Sequence, residues 1–185
     1  MEENKKKKIS TKDMVQIAMF TAVVAVLSQI AIPMPSGVPV TLQTLAVALC
    51  GYVLGSKKGA VSLLVYALLG AVGAPVFANF KGGLGAIAGP TGGFIWGFIF
   101  MAFLCGLGIE SKHKWQAVVL GIAGVLVCHA CGAAQFAIIK GNGFWSSALL
   151  VSVPYLVKDF VSVIIALGAA ALIRSRIKVT AAVNQ

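Results

Sequence analysis

Asp159 and Lys158 are the residues from which chemistry can first be argued, because they follow Pro154 and Tyr155 inside an otherwise apolar run. Asp159 lies 15 residues before the basic end at Arg174, about 22 Å of helix at 1.5 Å per residue. That spacing puts an ionisable pair in the half of a membrane crossing remote from the basic end. A charge at such depth costs at least about 2.5 to 3.5 kcal/mol on insertion scales, so it is a functional hypothesis by default. The structural alternative is that Lys158 snorkels to the interface while Asp159 pairs with it or caps a helix begun at Pro154. Asn79, flanked by Phe77, Ala78 and Phe80, offers both a donor and an acceptor, and Lys81 two residues on offers a cation. Phe77, Phe80 and Tyr155 would supply an apolar wall. Gln43, beside Thr41 and Thr44, reads either as a ligand contact or as an interhelical hydrogen-bonding group.

Other residues of the same types lose their promise on spacing. Cys128-His129-Ala130-Cys131 stands alone, with no second ligand pair, and reads as small buried residues; no metal site is expected. Cys50 and Cys105 fall toward the cytoplasmic ends of their runs, where disulfides are not expected. No G-x-x-x-x-G-K-[ST] loop is present, so ATP hydrolysis by this chain is not expected. With five acidic residues and no Ser/His/Asp or Cys/His set, no catalytic residue, cofactor or enzymatic activity is expected. The halves show no internal repeat, which argues against an inverted-repeat transporter.

The elements that must position these groups are membrane helices. The 185 residues are 59% hydrophobic and 11% charged, with mean hydropathy +0.95, far from the roughly 25% charged of soluble domains. Apolar runs cover 14–32, 40–55, 59–73, 92–108, 115–139 and 148–173, which predicts one domain of six spans; the second and third are shorter than the roughly 20 residues that a crossing needs. The first run is too long for a signal-peptide core and ends in Pro-Met-Pro, without a small-residue cleavage site. Between the third and fourth runs, residues 73–97 hold eight glycines and two prolines, incompatible with one straight helix. Irregular backbone near membrane depth is tolerated where it is buried in protein or lines a cavity. This stretch is therefore expected to wall a binding site, with Gly82 and Gly83 letting backbone approach a ligand.

Twelve of the 15 Lys and Arg residues, from Lys5 to Lys8 through Lys178, fall on one side of a six-span drawing, and only Lys81, Lys140 and Lys158 on the other. The positive-inside rule then makes both tails, 1–12 and 174–185, cytoplasmic. The net charge of +10 needs no nucleic acid to explain it. Loops 33–39, 73–91 and 140–147 face outward, where they suit a receptor for something arriving from outside. Gly89, Gly93 and Gly97 recur at i+4 and predict close helix packing.

PVTLQTLAV at 39–47, GAPVFANFKGGLGAIAGPTGGFIWGF at 73–98 and PYLVKDF at 154–160 resemble the BioY family, the biotin-specific substrate-capture subunits of energy-coupling-factor (ECF) transporters. The resemblance spans nearly the whole chain. It implies an all-α, six-helix S component in a bacterial cell membrane. Such a component binds biotin from outside and works with a transmembrane coupling protein and two ATPases, which alone use ATP. It implies that Asn79 and Asp159 meet the ureido ring and that Ala18 and Ala22 dock on the coupling protein. The chain departs from the family's P-x-x-x-G-D-x-x-K pattern: Lys158 replaces the glycine and Ser162 stands in place of the later lysine. The biotin carboxylate then has three candidate partners among the outer cations, Lys158, Lys81 and Lys140, with Lys158 as the residue that could take over the role of the missing lysine. A stand-alone secondary transporter using Asp159 as an ion site is the alternative.

Overall fold

The computed structural model describes residues 10–183, with side chains to Arg176; the Lys5 to Lys8 run and the ends of both expected tails lie outside the described residues. Helix α1, Thr11–Ser28, starts at a reciprocal cap in which Asp13 N–H donates to Ser10 Oγ and Ser10 N–H donates to Asp13 Oδ2, both at 3.2 Å. It stops at Ser28, four residues short of the expected span end. The chain then enters an antiparallel hairpin of β1, Ala31–Ile32, and β2, Val40–Thr41, whose loop carries Pro33, Pro35, Gly37 and Pro39. Proline lacks the N–H that a continuing helix needs.

Helix α2, Gln43–Leu54, is 12 residues long, or about 18 Å. Its Ala46, Val47, Ala48 and Cys50 are fully buried, because α2 packs against α1, α3, α5 and α8. A helix enclosed by other helices does not have to match the bilayer itself, which accounts for the short second run. Gly55, at φ 84°, turns α2 directly into α3, Ser56–Ala71. Glu110 from the end of α5 caps that turn: its Oε1 accepts from Ser56 N–H at 2.9 Å and its Oε2 from Ser56 Oγ at 2.7 Å. A carboxylate there also complements the positive end of the α3 dipole.

Residues 72–91 form no long helix. They contain one 3-10 turn at Ala78–Phe80 and a short α4, Leu84–Ala88. Helix α5, Gly92–Glu110, then packs along α6, Lys114–Lys140. Gly93 and Gly97 lie in that contact: a Cβ on Gly97 would stand 2.7 Å from Cys128 Cα, and one on Gly93 2.8 Å from Cys131 C. Gly89 does not share this role, because it caps α4 outside the helix. The last expected span, 148–173, is divided. Helix α7, Phe144–Val151, ends at Ser152 (φ −124°), and α8 runs Val153–Val183, with Pro154 in its first turn, where its missing N–H costs nothing.

Among the described residues four helices, α1, α5, α6 and α8, are long and apolar enough to cross a membrane. Large apolar side chains such as Val26, Ile138, Val157 and Leu172 are exposed, as a lipid-facing surface requires. Polar contacts gather at the two ends. At one, Lys58 joins Asp13 at 3.0 Å and Gln16 at 2.9 Å, and Arg174 donates to Tyr52 O at 2.9 Å. At the other, the hairpin, residues 72–91 and the start of α8 surround a cavity.

Candidate functional site

The hairpin's reach over the cavity is fixed by Tyr155. Its ring is buried, its hydroxyl donates to Val38 O at 2.6 Å, and Ser36 Oγ lies 2.9 Å from the same hydroxyl. Loop 33–39 is thereby tied to the first turn of α8. Gln43 lines the cavity and also bonds between elements: its Nε2 donates to Tyr66 OH at 2.9 Å, its Oε1 accepts from Thr41 Oγ1 at 3.0 Å, and Tyr66 OH donates on to Val76 O at 3.1 Å. Gln43 is therefore an interhelical hydrogen-bonding group whose side chain also borders the cavity.

Residues 77–81 close the wall through an unusual turn. Phe77 N–H donates to Lys81 O at 3.0 Å, which brings the strand ends together. Asn79 and Phe80 occupy the left-handed region at φ 58° and 55°. Non-glycine residues held there cost on the order of 1–3 kcal/mol each and concentrate at functional sites. The turn sets Phe77, Asn79 and Lys81 on the cavity. Phe77 is buried edge-on against Tyr66, with ring centres 5.3 Å apart, and its ring fills space left by the missing side chain of Gly70. Phe80 points away from the cavity: its side chain is 72% exposed, and its N–H donates to Gln29 Oε1 at 2.9 Å. Gly82 and Gly83 also stand outside the lining. A Cβ on Gly82 would come 2.9 Å from Ala74 C, and Gly83, at φ 90°, donates its N–H to Gly70 O at 2.6 Å. These glycines serve close backbone packing within the loop, where a ligand-facing role was expected.

The deep end of the cavity is polar. Asp159 is 4% exposed and His129 7%. Asp159 Oδ2 lies 2.9 Å from His129 Nε2, while Lys158 Nζ forms an ion pair with Asp159 Oδ1 and donates to Thr41 O at 2.9 Å. A carboxylate removed from water is tolerable only when paired and hydrogen-bonded, and His129 and Lys158 meet that need from α6 and α8. Lys158, one candidate for a ligand's carboxylate, is instead held by Asp159, as the structural alternative had it, and by the β2 backbone. Lys81 Nζ has no hydrogen bond or ion pair among the described residues, and Lys140, the exposed last residue of α6, lies outside the lining.

His129 was missed from sequence. The C-H-A-C string invited a metal reading, and among the described residues no group of three His, Cys, Asp or Glu could hold an ion. The available signal was depth: 11 residues separate His129 from the helix end at Lys140, so the rule that singled out Asp159 applied equally to it. Cys50, Cys105, Cys128 and Cys131 are free thiols. Ala18 and Ala22 are both exposed on α1 and neither lines the cavity.

The cavity has apolar walls from Phe77, Phe94 and Phe98, a polar floor and, at the rim, Lys81, which pairs with no other described residue. Known proteins share the fold. A crystal structure of the S-component for biotin from an ECF-type ABC transporter superposes with TM-score 0.78 at 24% identity, covering 95% of each chain, so the fold is shared. The biotin transporter BioY of Thermotoga maritima is 44% identical over 122 residues, 65% of this chain and 72% of that one. The biotin transporter BioY of Rhizobium etli is 34% identical over 180 residues, 89% of this chain and 95% of that one. The BioY family matches residues 3–179, and by that extent, together with the shared fold, the chain belongs to the BioY family.

Proposed function

We propose that this chain is the biotin-capturing S component of an ECF transporter, taking biotin from the outer face of a bacterial cell membrane. The observation that carries the reading is the convergence of Asn79, Lys81, Asp159 and the Phe77 wall on one cavity beneath the hairpin, remote from the basic end of the bundle. Biotin has a neutral ureido ring that donates and accepts hydrogen bonds, an apolar tail and a carboxylate. The polar floor suits the ring, the phenylalanine wall the tail, and Lys81 the carboxylate. In this reading α1, α2, α3, α5, α6 and α8 make six crossings, and both termini are cytoplasmic by the positive-inside rule. Ala18 and Ala22 offer a small-residue face to the coupling protein, with two ATPases beyond it. Use of Asp159 as an ion site in a stand-alone transporter is disfavoured, because His129 and Lys158 occupy its two oxygens.

Equilibrium binding of labelled biotin to detergent-purified protein tests the proposal. Saturable binding that unlabelled biotin displaces, and that an unrelated vitamin does not, is the expected result. Absence of such binding would remove it.

A further inference from the structure

His129 Nδ1 is buried and has no hydrogen-bond partner among the described residues. The ring itself is well fixed. Nε2 sits on Asp159 Oδ2 at 2.9 Å, and Phe94 meets the imidazole edge-on with ring centres 5.6 Å apart at 87°. A buried polar atom is ordinarily satisfied, and His129 borders the cavity, so the missing partner is most simply supplied by whatever fills that cavity.

The tautomer follows from the neighbours. Asp159 is paired with Lys158, so its carboxylate accepts and Nε2 must carry the hydrogen; neutral imidazole then leaves Nδ1 as an acceptor. Two of the acceptor side chains on the cavity already face cations or donors of this chain, while Asn79 keeps its own amide for the ring. Asp159 holds His129 and Lys158, and Gln43 Oε1 holds Thr41. We propose that His129 is a ligand-recognition residue whose Nδ1 accepts one N–H of the ligand's cyclic urea, with Asp159 acting behind it to fix ring and tautomer. The proposal rests on the biotin reading. It moves the direct N–H contact from the carboxylate to the imidazole.

The test compares the parent with His129→Gln and His129→Asn, using biotin and two biotin analogues, each methylated at one ureido nitrogen. A glutamine amide can reach the Nε2 position and keep Asp159 engaged, but leaves no acceptor at Nδ1; an asparagine amide can reach the Nδ1 position. His129→Gln should weaken biotin about ten- to hundredfold, the range for losing one buried hydrogen bond. For one of the two methylated analogues, parent and Gln variant should bind alike. His129→Asn should recover most of the affinity for biotin. Binding of biotin by His129→Gln within about twofold of the parent would overturn the proposal, as would equal losses for biotin and both analogues. If the Gln variant does not fold, the Asn variant and the parent against the same three ligands complete the comparison. Failure of the parent to bind biotin at all removes the proposed function and this inference together. Normal parent binding with an indifferent variant removes this inference alone.

Discussion

Lys158 and Lys81, both candidates for a ligand's carboxylate by sequence, stand in different surroundings. Lys158 neutralises Asp159 and anchors β2 through Thr41 O, whereas Lys81, at the cavity rim, has no partner among the described residues. Lys158→Ala should therefore act mainly on stability. Breaking a buried pair costs about 3–5 kcal/mol, and because the Lys158 side chain is 30% exposed a loss of about 1–3 kcal/mol is expected. Denaturation of the ligand-free protein in detergent reads it directly. Lys81→Ala should leave that stability unchanged and weaken biotin by about 1.5–3 kcal/mol, the range for charge-assisted hydrogen bonds. Biotin amide, which lacks the charge, should bind parent and Lys81→Ala nearly equally; equal losses for acid and amide would exclude Lys81 as the carboxylate partner. Asp159→Asn removes the charge that holds both Lys158 and the His129 tautomer, so biotin binding should fall by more than either lysine variant alone.

At the scale of elements, two devices hold the site: the Tyr155 tie over the cavity and the glycine contact beneath it. Tyr155→Phe keeps the ring and removes the bond to Val38 O and the contact with Ser36 Oγ. Loop 33–39 should then open more readily, and labelled biotin should dissociate faster with little change in thermal stability. An unchanged dissociation rate would mean that the loop is held by other contacts. Gly97→Leu would instead force Cβ within 2.7 Å of Cys128 Cα, an overpacking of α5 on α6 that costs about 1–3 kcal/mol. Loss of unfolding midpoint with the fold intact by circular dichroism is the expected signature. Much of this scale was legible in the sequence, because the glycine spacing at 93 and 97 and the proline run at 33–39 act through local backbone rules. The break at Ser152 and the enclosure of α2 were not, since both depend on packing between elements distant along the chain. The site divides in the same way. Asp159 announced itself by the cost of its charge at depth, while His129 was hidden beside two cysteines, and the committed state of Lys158 became visible only once β2 was placed beside α8.

For the molecule as a whole, the two ends of the bundle have separate work. The cavity end gathers the hairpin, residues 72–91 and the start of α8, and the other end gathers Asp13, Lys58, Glu110 and Arg174 in contacts that tie α1 and α5 to α3 and α8 to α2. Helix α1 packs inward through Phe20, Thr21 and Val24, with Thr21 Oγ1 donating to Ser62 O at 3.0 Å, so its Ala18 and Ala22 remain on the outer face. A flat face of small residues lets another helix approach closely. Ala18→Trp with Ala22→Trp adds bulk at positions left exposed by the described residues, so the isolated protein should fold and bind biotin as the parent does. Co-purification with the coupling protein and ATPases should fail, because helix backbones can no longer come together at that face. A double variant that binds biotin normally and still co-purifies with the module would place the docking face elsewhere. One that loses biotin binding would show that α1 communicates with the cavity through the Ser28 and Gln29 contacts to Val76 O.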